Sequence, residues 1–182
     1  MRLVASAEEV ERAAADFAIE RVVGFDTETR PAFKVGQRYP AALVQAATGR
    51  AVYLFQLQRM DLGMKFAAVL GALLSSEKTV KAGVGIGDDL KQLRELFPFE
   101  PAAVADLGAI ARRHGIERSG VRPLAALFLG FRIPKGTKTS NWAAPRLSPQ
   151  QIAYAATDAW ACRELYLKFE SLGMLKQPDA VT

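Results

Sequence analysis

Apolar and polar residues along this chain follow two periods, one suited to helices and one to strands. Residues 8–18, EEVERAAADFA, follow Ser6, and Ser6 and Glu9 have the S-x-x-E spacing of a capping box, so a first helix is predicted there. Residues 21–28, RVVGFDTE, are apolar and β-branched and predict a buried strand. Residues 41–48, AALVQAAT, and 51–57, AVYLFQL, predict two more strands, joined as a hairpin through Gly49 and Arg50. MKFAAVLGALLS (64–75) is helical, TVKAGVGIG (79–87) is a fourth strand, and DDLKQLRELF (88–97) starts a helix at once. Residues 102–115 read as a short strand or turn running into a helix, and 123–130 as a short helix. Residues 148–173 form a long predicted helix, capped by Ser148 with Pro149 at its first position.

Three strands followed by alternating helix and strand imply an α/β domain on a mixed sheet. No repeat, low-complexity segment or linker interrupts the 182 residues, a length that suits one domain. That domain is expected at residues 1–175, with a flexible tail over 176–182. Half of the residues are hydrophobic, enough for a sizeable core. No apolar stretch reaches the roughly 18 residues needed to cross a bilayer. Acidic residues come too early in the N-terminal sequence for a secretory signal. A soluble, cytoplasmic protein is expected.

Composition narrows the chemistry. Cys162 is the single cysteine, which excludes an internal disulfide and a thiolate zinc cluster. His114 is the single histidine, which excludes a multi-histidine metal site within one chain. A metal would be held mostly by oxygen, as magnesium and manganese are. The net charge of +5 and pI of about 9.5 suit a polyanionic partner and equally an ordinary surface.

Three groups of acidic residues stand where structure changes. Asp26 and Glu28 are one residue apart at a strand end, so their side chains share a face, with Thr27 opposite. Strand ends of this kind either face a ligand crevice or simply turn. Asp88 and Asp89 sit where a strand gives way to a helix, and either could serve only as a cap. Tyr154 and Asp158 are four apart in an apolar helix and stack on one face, as site residues or as a hydrogen-bonded core pair. Carboxylates converging from all three would repel and resist ionising. Two divalent cations would neutralise four such charges and could clamp an in-line phosphoryl displacement.

FDTE, then KAGVGIGDDLKQL, then YAATDA resemble, in order and spacing, the three motifs of the DEDD 3′→5′ exonucleases. The tyrosine-containing branch fits, in particular the ribonuclease D and Werner-type group, and LGFRIPKGTKTSNWAAPRLSPQQIAYAATDAWA is similar to that group's K…S-[ND]-W…Y-A-A-x-D-A signature. The resemblance covers roughly residues 4–170. It implies a ribonuclease H-like mixed sheet of about five strands flanked by helices, and Asp26, Glu28, Asp89 and Asp158 as ligands of two Mg2+ or Mn2+ ions. It implies that Tyr154 orients and helps to deprotonate the attacking water. It favours Asp89 over Asp88, because the family pattern reads K-A-G-V-G-I-x-x-D. The histidine branch is disfavoured because Ala153 stands at the histidine position, so His114 is expected to be a loop residue outside the chemistry. The implied reaction is hydrolysis of DNA and/or RNA from a 3′ end to nucleoside 5′-monophosphates, single-stranded or 3′-ended nucleic acid being the partner. The alternative is a catalytically silent nucleic-acid-binding module on the same scaffold.

Other signals weigh less. Gly83, Gly85 and Gly87 form G-x-G-x-G, not the G-x-G-x-x-G of dinucleotide-binding turns. FDTET departs from the D-x-D-x-T loop of aspartyl-phosphate phosphatases, since Glu28 replaces the second aspartate. Lys135, Lys138 and Arg38 could contact phosphates, Lys135 being the lysine at the family position; Arg30 and Lys34 are less specific. Trp142 could stack on a base or anchor its loop to the core.

Overall fold

The apolar run around Phe25 forms the middle of a six-stranded sheet. The computed structural model describes residues 1–32, 34, 36–58, 62–134 and 140–176. The strands are β1 (Arg2–Leu3), β2 (Val22–Thr29), β3 (Ala41–Ala47), β4 (Val52–Gln56), β5 (Val80–Gly83) and β6 (Val104–Asp106). Their spatial order is β1-β4-β3-β2-β5-β6. The β2–β3 and β3–β4 pairs are antiparallel, as the predicted hairpin requires, and the other three are parallel. The mixed α/β sheet is as expected, with one strand beyond the five anticipated. β1 is two residues long, too short for alternation to show in the sequence.

Among the described residues six α-helices cover the sheet: α1 (Ala7–Ile19), α2 (Gly63–Ser75), α3 (Ile86–Arg94), α4 (Leu107–Arg113), α5 (Val121–Leu124) and α6 (Pro149–Ser171). A π-helical turn, Ala125–Leu129, continues α5 within the predicted short helix. Both helices start at the predicted serine caps, but only the second box closes fully, since the Glu9 carboxylate accepts from Ala5 N and not from Ser6 N. Ser6 Oγ accepts from Glu9 N, and Ser148 and Gln151 bond reciprocally behind Pro149. The predicted strand over 79–87 stops earlier, at Gly83, and α3 already begins at Ile86. Gly85 between them has φ 69°, a left-handed conformation that ends the strand and that glycine adopts without strain. His114 caps the end of α4 and its Nε2 bonds the Met174 carbonyl at 3.0 Å, tying the chain after α6 to α4. The predicted tail from 177 onward lies outside the described residues.

Alternation along β2 sorts its side chains between two cores. Val23 and Phe25 pack with Phe17 of α1, Phe66 and Leu70 of α2 and Leu90 of α3. Val22 faces the other way, onto Cys162, Leu165 and Phe169 of α6. Gly24 lies on that second face too, and a Cβ there would come within 2.0 Å of the Ala159 carbonyl oxygen. Only glycine lets α6 ride this close to β2. The next two residues on that face are Asp26 and Glu28, and Asp158 precedes Ala159, so this close approach assembles the acidic site. Val22–Phe25 are buried and Asp26–Thr29 only half-buried, so the site opens at the end of β2.

Candidate active site

Asp26, Glu28 and Asp158 each offer an oxygen within 4.8 Å of the others. Two come from one face of β2 and the third from α6, as their spacing predicted. The cluster is poorly solvated and mutually repulsive. Burial, then the charges of Asp89, Glu28 and Asp158, pushes the Asp26 carboxyl well above the usual range. Burial, then Asp158 and Asp89, raises Glu28 to about 8. Asp158 is also raised by burial, while the Tyr154 hydroxyl and the charge of Arg122 hold it down. One Asp158 oxygen, Oδ1, is buried with no hydrogen-bond partner among the described residues.

Asp89 reaches the site from the other side of β2. It lies on α3, which packs on the face opposite α6, and accepts a hydrogen bond from the Thr27 hydroxyl. Burial lifts it to about 6, against the pull of that hydroxyl. Asp89 is near enough to be the leading charge acting on Asp26, yet it stands outside the group of three. Thr27, opposite Asp26 and Glu28 as expected, is thus the link that ties the second acidic motif to the first. Neither Asp88 nor Asp89 caps α3, correcting that reading: the chain turns into the helix at Gly85, and both aspartates lie inside its first turn. Asp88 is exposed.

Tyr154 lies one helical turn before Asp158 and hydrogen-bonds it. Burial, then the Asp158 charge, raises its pKa, so the hydroxyl keeps its proton at neutral pH. Trp142 is 1% exposed, and its ring centre is 6.0 Å from that of Tyr154. It has no free face for a base, so the stacking role is corrected to an anchor that backs the tyrosine. Arg38 is exposed, in the connection between β2 and β3, and Lys135 and Lys138 lie outside the described residues.

Two neighbours of the carboxylates were not singled out in the sequence. A pocket of about 510 Å3 opens beside Tyr154 and Asp158, with Val121, Pro123 and Ile133 as apolar wall and Arg122 and Arg132 as charges. Arg122 is oriented by donating from Nε to the Ile133 carbonyl at 3.2 Å. Gln45 of β3 stands opposite Asp26. It is the polar residue in AALVQAA, and that break in an apolar run was its signal. Cys162 is fully buried, with its thiol pushed well up by burial and by the acidic cluster.

An oxygen-only set of repelling carboxylates with an orphaned carboxylate oxygen fits a hard divalent cation, which would relieve the repulsion and satisfy that oxygen. Among the described residues no helix is long and apolar enough to cross a membrane.

The fold and the acidic site define a class. Residues 1–173 match the sequence profile of the family described as 3'-5' exonuclease, and the chain belongs to that family. Over 166 residues it is 35% identical to the mouse protein "Bifunctional 3'-5' exonuclease/ATP-dependent helicase WRN", a match covering 88% of this chain and 12% of that one. The chain therefore spans about an eighth of that relative's length. Among solved structures, the Aedes aegypti Nibbler EXO domain superposes with a TM-score of 0.80 at 22% identity, covering 96% of this chain and 89% of that domain. Brucella melitensis NrnC bound to pGG superposes with a TM-score of 0.71 at 26% identity, covering 89% and 79%. The expected ribonuclease H-like exonuclease fold is the one observed.

Proposed function

We propose that this chain is a 3′→5′ exonuclease domain, spanning residues 1–175, that hydrolyses DNA and/or RNA from a 3′ end. Water adds to the phosphorus of the terminal nucleotide, the bond to the 3′ oxygen of its neighbour breaks, and that oxygen takes up a proton. The products are a nucleoside 5′-monophosphate and a chain shortened by one. The observation that carries this reading is the meeting of Asp26, Glu28 and Asp158 beside a buried, unpartnered Asp158 oxygen.

Two Mg2+ or Mn2+ ions are the proposed cofactors, held by Asp26, Glu28 and Asp158, with Asp89 completing the set. When bound they would neutralise the carboxylates, activate water and offset charge on the phosphate. The residues of the chain supply the geometry. Asp158 and Tyr154 are fixed relative to each other by one helical turn, and Trp142 backs the tyrosine ring. A protonated Tyr154 hydroxyl acts by orienting the attacking water, both accepting from it and donating to Asp158. The Val121–Pro123–Ile133 wall suits the terminal nucleoside, and Arg122 and Arg132 suit its phosphate. Lys135, Lys138 and Arg38 are the proposed contacts to upstream phosphates. Similarity to Brucella melitensis NrnC bound to pGG supports a nucleotide ligand.

The test is digestion of labelled DNA and RNA with single-stranded, recessed and overhanging 3′ ends, in Mg2+ and in Mn2+. Wild type should release mononucleotides from the 3′ end. Asp26→Ala and Asp158→Ala should fold and cleave nothing measurable. Near-wild-type cleavage by either variant would refute the assignment. Binding without cleavage by wild type would favour the silent module.

A further inference from the structure

We infer that Gln45 is a positioning residue for Asp26, its side-chain amide donating a neutral hydrogen bond to the carboxylate when the acidic site holds its cation. The inference rests on the metal-site reading above and adds a residue to it.

Gln45 is 0% exposed, in a strand buried along its whole length. Neither Oε1 nor Nε2 has a hydrogen-bond partner among the described residues. A buried amide with both ends unpaired costs stability that an apolar side chain of the same shape would not. Its register shows what it can serve. Gln45 pairs directly with Asp26 across the antiparallel β2–β3 ladder. Residues so paired point to the same face, with Cβ atoms about 4.5–5.5 Å apart, a gap that the three side-chain torsions of a glutamine can span. On its other side stands Leu54. The diagonal positions on β2 hold Gly24 and Glu28, and the nearby Gln56 is already committed to the Ala144 carbonyl at 3.1 Å. Asp26 is therefore the polar side chain nearest to the amide by register.

Asp26 in turn accepts from the Thr27 backbone N–H, and no side chain among the described residues donates to it. The charged groups acting on it are Asp89, Glu28 and Asp158, all acceptors when ionised. A carboxylate that binds a cation through one oxygen is oriented by a hydrogen bond at the other. An amide does this without charge, whereas lysine or arginine would neutralise Asp26 and compete with the cation. The same amide explains why an apolar strand tolerates one polar residue at this position.

The experiment compares wild type with Gln45→Met, which keeps the length and removes both polar atoms. Metal-free melting, calorimetric titration with Mg2+ and Mn2+, and kcat are measured on each. Gln45→Met should melt at or above the wild-type temperature without metal, yet lose about 10–100-fold in metal affinity or kcat. That pairing of stability kept and metal binding lost is one that a merely structural glutamine does not produce. Unchanged metal affinity and kcat in Gln45→Met would overturn the inference while leaving the acidic site intact. Absence of metal binding by wild type would instead overturn the site itself. If Gln45→Met does not fold, NMR of the 15N-labelled wild-type chain decides. The Gln45 side-chain NH2 signals should shift and exchange more slowly with water on saturation with Mg2+, and unchanged signals would refute the role.

Discussion

Replacing Glu28 with glutamine should stabilise the metal-free protein while abolishing its activity. Glu28 has an ordinary value of 4.5, and in the fold it is raised to about 8. Below pH 4.5 the carboxyl is protonated in both states and costs nothing. As pH rises from 4.5 to 8 the unfolded chain releases the proton and the folded chain retains it, so folding stability falls across that window. Above 8 both states are ionised and the loss is complete. The window spans 3.5 pH units at about 1.4 kcal/mol each, a ceiling of about 5 kcal/mol. Glu28 is only half-buried, so solvent screening reduces this to about 2–3 kcal/mol. Glutamine mimics the protonated form at every pH. In a domain of this size each kcal/mol moves Tm by about 2–4 °C, so Glu28→Gln should melt about 4–12 °C higher at pH 8 in EDTA. At pH 4.5 the two proteins should melt together. Adding Mg2+ at pH 8 should raise the wild-type Tm more than that of the variant, because binding to the folded state stabilises it. The assay is calorimetric melting at both pH values, with and without Mg2+. A variant that melts at or below wild type at pH 8 without metal would refute the argument from burial and repulsion, as would a difference independent of pH.

Tyr154→Phe keeps the ring that packs on Trp142 and removes only the hydroxyl, so it should lower kcat by about 10²–10⁴-fold with little change in calorimetric metal affinity. Loss of metal binding in that variant would make the tyrosine a structural support of Asp158 instead. Asp89→Asn should be inactive and Asp88→Asn nearly normal in the nuclease assay, because Asp89 is bonded to Thr27 beside the site and Asp88 is exposed.

The sequence alone determined what local chemistry can encode. Ser6 with Glu9, and Ser148 with Pro149, mark helix starts because a cap involves residues only three apart. Asp26 and Glu28 share a face because a strand has period two, and Tyr154 and Asp158 because a helix has period 3.6. Charge repulsion within the acidic motifs was legible for the same reason: carboxylates at those spacings on elements that meet must repel. The tertiary structure decided what depends on contact between distant segments. Gly24 is an unremarked residue until α6 is laid over it, since the obstacle to a side chain there is the Ala159 carbonyl, 135 residues away. Trp142 is equally at home in a loop or a core, and only packing against Tyr154 places it inside. Asp89 proved to be held by Thr27 from the far side of β2, because α3 and α6 lie on opposite faces of the sheet. The pairing of Gln45 with Asp26 is a matter of register. The hairpin itself is readable from Gly49 and Arg50, but the meeting of β2 with β3 follows an eleven-residue connection whose length does not set the alignment.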